Sequence, residues 1–137
     1  MSPLASLVGF ALWALFLVTL LAGVRAFLVL TKKKRAGDFP AGVQHGGDAY
    51  WRLNRAHINT VENLPIYAAL VFAAQLLHVD VTLIAEIGLV ARIVQSLIHI
   101  SSGSVMAVNL RFTAFLTQVG CYVAMIVKLY SATMVTR

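Results

Sequence analysis

LASLVGFALWALFLVTLLAGVRAFLVL, residues 4–30, is an apolar run interrupted only by Arg25. A helix needs roughly 20 apolar residues to cross a bilayer, so this run is long enough to span one. It does not read as a secretory signal peptide, since it lacks a positive n-region and exceeds the length of an h-region. Three further runs follow it, at about Tyr50–His78, Val81–Ile100 and Val108–Met134. The 137-residue chain is 60% hydrophobic and 12% charged, with mean hydropathy +0.84. A soluble domain of that size could not hide so much apolar surface, whereas lipid can solvate it. The expected fold is therefore an all-α membrane protein: a single domain over residues 1–137, built as a four-transmembrane-helix bundle.

The connections are polar. Residues 31–49 are rich in Gly, Lys and Asp, contain Pro40, and end in His45–Gly46–Gly47–Asp48, a turn before the second span. Val79–Asp80 joins spans 2 and 3 tightly, with Asp80 as the expected N-cap of span 3. Ser101–Ser104 makes a short link to span 4. Net charge is +6, and four of the eleven basic residues form the run Lys32–Arg35. After an apolar span such a run signals topology and contact with anionic lipid rather than nucleic acid. The opposite side offers only Lys128 and Arg137, so the 1–2 and 3–4 loops are expected in the cytoplasm, with Asp80 and both termini outside. Cys121, the sole cysteine, lies in an apolar run and is expected to pack as a small hydrophobe.

Ionisable residues within membrane spans are costly, face the bundle interior and mark function. The densest set is Arg55-Ala56-His57-Ile58-Asn59-Thr60-Val61-Glu62-Asn63-Leu64-Pro65. Spacings of four and three align Arg55, Asn59 and Glu62 on one helical face, with His57 elsewhere. A cation, an amide and an anion suit a small zwitterion with carboxylates and an amine. They suit a polar clasp between helices equally well. Pro65 cannot donate to the Val61 carbonyl, so a kink is expected beyond the stripe. In span 3, Arg92 and His99 share a face, with Gln95 and Ser96 nearby. Counting inward from Arg52 and from Ser101 puts Glu62 and Arg92 at similar depths, roughly 15 and 14 Å. An ion pair between them is expected, and a second between Glu86 and Lys128. Arg25 is expected to snorkel to the cytosolic surface. The four histidines do not share metal-type spacing with cysteines or carboxylates, and no Ser–His–Asp set or phosphate loop stands out.

The four-span plan, the basic first loop, His45–Gly46–Gly47 and above all Arg55-Ala56-His57-x-Asn59-x-x-Glu62 resemble the membrane-associated proteins in eicosanoid and glutathione metabolism, the MAPEG family. That family includes microsomal glutathione transferases, and the resemblance covers nearly the whole chain. It implies a homotrimer that binds glutathione, as cosubstrate, between neighbouring subunits in the cytosolic half of the membrane. By position, Arg55, Asn59 and Glu62 match the span-2 glutathione-binding residues, and Arg92 the span-3 arginine beside them. His45 of the loop turn, and Lys32 or less strongly Arg25 at the end of span 1, complete the implied binding set. Arg111 looks like the arginine that stabilises the glutathione thiolate, with His99 bonding the sulfur or shuttling its proton. His99 stands where the eicosanoid enzymes have tyrosine, and Gln95 where an aromatic or histidine is usual. Phe112 stands where a prostaglandin synthase has serine, Ile58 where some relatives have another arginine, and the 3–4 loop reads as longer. These departures point away from a dedicated eicosanoid synthase. They leave open a broad glutathione transferase or peroxidase acting on lipophilic electrophiles dissolved in membrane lipid, and they leave open a loss of catalysis. The alternatives are a non-catalytic glutathione- or lipid-binding scaffold of the same fold, and a small multidrug transporter built around Glu62.

Overall fold

A computed structural model describes residues 1–40 and 42–135; Arg137, counted above among the outer charges, lies outside the described residues. The described chain is helical: α1 (Pro3–Leu30), a 3-10 turn (Ala36–Asp38), α2 (Asp48–Leu76), α3 (Thr82–Ser101) and α4 (Val105–Val135). Helices α1, α3 and α4 are long and apolar enough to cross a membrane. Helix α2 is as long as α1, but its first half carries Arg52, Arg55 and Glu62, which lower its hydropathy. Neighbours in sequence run antiparallel. The bundle thus has one end made by the 31–47 and 102–104 loops, and another made by the α2–α3 connection and Met1.

Two apolar clusters hold the helices together. One, toward the α2–α3 connection, contains Phe10, Tyr67, Val71, Ala85, Leu89 and Met125. Its polar atoms are satisfied internally: the Tyr67 hydroxyl donates to the Ala85 carbonyl at 2.8 Å. The second, toward the basic loop, joins Leu17 and Leu21 of α1 to Leu53 and Tyr50 of α2 through Phe39 of the loop. Cys121 is buried, as expected. Many large apolar side chains remain on the outside, among them Leu12, Phe16, Phe72, Leu83 and Val127. Such a surface suits lipid, not water.

Span boundaries differ from expectation where capping residues are unusual. Helix α1 begins one residue early, Ser2 capping the Ala5 amide at 3.1 Å. Helix α2 starts and stops two residues earlier than read. Its end is a Schellman arrangement, with His78 in the left-handed region at φ 52° and the Val79 amide bonded to the Ala74 carbonyl at 2.9 Å. Asp80 is one residue short of the N-cap of α3, which is Val81; its carboxylate still accepts from the Thr82 amide at 2.9 Å. Helix α4 starts three residues early because the Ser104 hydroxyl accepts from the Ala107 amide at 3.2 Å. The 3–4 loop is the short link expected, residues 102–104. Helix α2 continues through Pro65.

Neither expected ion pair forms. Glu86 bonds the Met1 ammonium, and Lys128 donates instead to the Asp80 carbonyl at 2.7 Å. Arg92 is wholly buried and bonds the side-chain carbonyl oxygens of Gln95 and Gln118, while Glu62 is exposed on α2. Among the described residues the ion pairs are Met1–Glu86 and Arg35–Asp38. Two neutral amides have taken the place expected for the carboxylate.

Candidate functional site

Toward the basic-loop end, helices α2, α3 and α4 line a cleft of about 760 Å³. Helix α2 contributes Arg52, Arg55, Asn59 and Glu62 along a single face. The spacing that aligned the last three in sequence also admits Arg52, three residues earlier. Helix α3 contributes Arg92, Gln95 and His99, and α4 contributes Asn109, Arg111, Phe112 and Phe115. Six of the eight residues singled out from the sequence thus line one cavity: Arg55, Asn59, Glu62, Arg92, His99 and Arg111. The early start of α4 puts Arg111 in its second turn, facing α2 and α3 across the cleft.

Local bonds fix the walls. The Arg52 Nε donates to the Ile100 carbonyl at 3.1 Å, tying the first turns of α2 to the last turn of α3. A cation on the final carbonyls also suits the negative end of the α3 dipole. Arg52 and Ile100 therefore stand level, which is why Glu62 and Arg92 reach the same cavity. Deeper in, the Thr60 and Ser96 hydroxyls meet across α2 and α3 at 3.3 Å. Asn63 donates to the Asn59 carbonyl at 2.8 Å. The side-chain amide of Asn59, half-buried, stays on the cleft wall.

Lys32 and His45 are not brought into this cleft. Lys32 closes α1, exposed and at φ 55°, its amide bonded to the Val29 carbonyl at 2.9 Å. His45 donates through Nδ1 to the Val43 carbonyl at 2.8 Å and packs on Phe39, Tyr50 and Trp51. Its turn requires Gly46, at φ +73°, where a Cβ would lie 2.9 Å from the Tyr50 ring. Arg25 is likewise a staple for the loop, its guanidinium over the Phe39 ring at 4.8 Å and donating to the Phe39 carbonyl at 3.2 Å. Of these residues His45 packs on Trp51, which is itself a cleft residue.

Four cations, one carboxylate, four neutral amides and one imidazole converge here: Arg52, Arg55, Arg92, Arg111, Glu62, Asn59, Asn63, Gln95, Asn109 and His99. The set favours a multiply anionic ligand with one positive group. Among the described residues no cluster of His, Cys, Asp and Glu is suited to a metal ion. The family model described as the MAPEG family matches residues 6–131. The chain belongs to the MAPEG family. That match takes in all four helices, and every cleft residue named here lies inside it. MAPEG proteins are membrane-bound and include glutathione transferases, so this MAPEG chain is an integral membrane protein. No curated protein matches it at a significant level.

Arg52, Asn109 and Gln118 are the polar residues that the sequence reading left out. Arg52 served there only as a depth marker. Gln118 lies seven residues after Arg111, two turns along the same face of α4, and that spacing was its available signal.

Proposed function

We propose that the protein is a membrane-bound glutathione transferase that activates the glutathione thiolate for attack on lipophilic electrophiles. The observation that carries this reading is the charge pattern of the cleft, four arginines and a single carboxylate, in a MAPEG chain. Glutathione as the thiolate has three negative groups and one ammonium, the complementary pattern. Glu62 takes the ammonium. Arg55 and a second arginine take the carboxylates, with Asn59 as a neutral partner. Arg111 faces the sulfur.

A free thiol with pKa near 8.5 is mostly protonated at neutral pH, and an adjacent guanidinium favours its ionised form. The thiol proton passes to the His99 imidazole and from there to water. The sulfur pair then forms a C–S bond with the electrophilic carbon, and the leaving group departs with its bonding pair. With a hydroperoxide the sulfur attacks the terminal oxygen, the O–O bond breaks and the alkoxide takes a proton. A second glutathione then condenses with the resulting sulfenic acid, releasing water and glutathione disulfide. Phe112 and Phe115 give the α4 side of the cleft an apolar wall suited to such substrates. The bilayer concentrates them beside it.

The reading includes a homotrimer with the basic loop and the α3–α4 loop in the cytoplasm. In a trimer, Lys32 and His45 would serve a neighbouring subunit's cleft, since they do not enter their own. Titration calorimetry with glutathione in detergent, followed by a conjugation assay with a generic aryl halide, tests the proposal. Binding with turnover is expected. Binding without turnover would leave the non-catalytic scaffold, and no binding would remove glutathione altogether.

A further inference from the structure

Arg92 presents an unusual electrostatic situation. The residue is 0% exposed, yet among the described residues no carboxylate pairs with it. One terminal nitrogen donates to the Gln95 side-chain carbonyl and the other to that of Gln118. Its Nε is buried without a partner. Gln118, also 0% exposed, is oriented in turn by its own amide, which donates to the Tyr122 hydroxyl. A chain of neutral groups running from α3 through α4 thus grips a buried guanidinium at the wall of the cleft.

Burying a cation without a counter-ion is costly, and a carboxylate is its ordinary partner. Glu62 lines the same cleft but remains exposed, and it takes part in neither ion pair seen among the described residues. Neutral acceptors satisfy the geometry of two of the guanidinium nitrogens without cancelling its charge. Two consequences follow. The positive potential of Arg92 persists in the cleft, and Glu62 stays free for a cationic group of the ligand. We propose that Gln118 is a positioning residue for the cleft: by holding Arg92 through a neutral amide, it keeps that charge uncancelled for an anionic ligand. Gln118 acts through Arg92 rather than by touching the ligand. The natural ligand assumed is the glutathione of the preceding reading, but the electrostatic claim applies to any anion of suitable size.

The isosteric variant Gln118→Glu tests it. The new carboxylate pairs with Arg92 and cancels its charge at nearly constant shape. Glutathione affinity should fall about tenfold, the order expected when a unit charge roughly 10 Å away is cancelled at an effective dielectric of about 20. The melting temperature of the ligand-free protein in detergent should hold or rise, which a merely structural role for Gln118 would not give. Gln95→Glu, at the other acceptor, should reproduce the loss and serves if the first variant does not fold. Stabilisation by inorganic sulfate, measured in parent and variant, separates the two levels of the argument. A parent stabilised by sulfate but not by glutathione, with the effect lost in Gln118→Glu, would sink the glutathione reading and support the role of Gln118. Unchanged affinity for both anions in the folded variants, or no anion effect in the parent, would overturn the proposal.

Discussion

Arg111 and His99 reach the cleft from different helices, so their roles can be separated by substitution. If Arg111 stabilises the thiolate, Arg111→Ala should raise the pKa of bound glutathione while much of the binding survives on the α2 residues. Each unit of that shift corresponds to about 1.4 kcal/mol. His99→Phe should move it less, because an imidazole that passes the proton onward does not hold the negative charge. Thiolate absorbance titrated against pH reads both variants, and an unchanged curve for Arg111→Ala would transfer the activating role to another cation. At this scale much of the cleft was legible. The four-and-three spacing of Arg55, Asn59 and Glu62 is a property of one helix, and sequence reports it directly. The partner of Arg92 was not legible, because charge rules favour Glu62 and cannot foresee that Gln118, 26 residues away, supplies the acceptor. Lys32 and His45 were carried by resemblance alone, and neither lines the cleft of its own chain.

At the level of elements, the apolar runs marked the helices and the end of α1 at Leu30, while the absence of a glycine hid the end of α2. Both α1 and α2 finish in a left-handed residue that is not glycine, Lys32 and His78. The bonds around each are those of a Schellman motif: Lys33 amide to Leu28 carbonyl at 3.0 Å, and Val79 amide to Ala74 carbonyl at 2.9 Å. Without Gly as the signal, span 2 reads through His78. The left-handed conformation costs a residue bearing a Cβ roughly 1–2 kcal/mol, and a β-branched one most of all. Glycine escapes that cost but gives back about 0.4–1 kcal/mol through its freer unfolded chain. His78→Gly should therefore match or slightly exceed the parent in thermal stability in detergent, and His78→Val should fall about 1 kcal/mol or more below it. Equal stability for the Gly and Val variants would show that the turn is not held in this conformation.

For the whole molecule, the question is where the two ends and the apolar exterior go. The end bearing exposed Lys33 and Lys34 and the end bearing Asp80 are separated by a helix of 28 residues, about 42 Å at 1.5 Å per residue. That exceeds the roughly 30 Å hydrocarbon thickness, so the ends must lie in different aqueous compartments if α1 spans. In a Cys121→Ala background, single cysteines at Lys33 and Asp80 should react with an impermeant reagent from opposite faces of sealed vesicles, the Lys33 site from the cytoplasmic face. Both sites labelled from one face would refute the arrangement. Assembly makes a second demand. Helix α4 exposes Leu116, Val123, Ile126 and Val127 along most of its length, and α1 exposes Leu12, Leu15 and Phe16. Lipid can cover these faces as readily as protein can, so apolarity alone does not choose an oligomer. The cleft does distinguish the cases, because in the proposed reading it gains Lys32 and His45 only from a neighbour. Mass measurement in mild detergent should accordingly give three copies of the 14.9 kDa chain. A monomer that still bound glutathione with full affinity would confine the site to α2, α3 and α4, and Lys32 and His45 would then be residues of the loop alone.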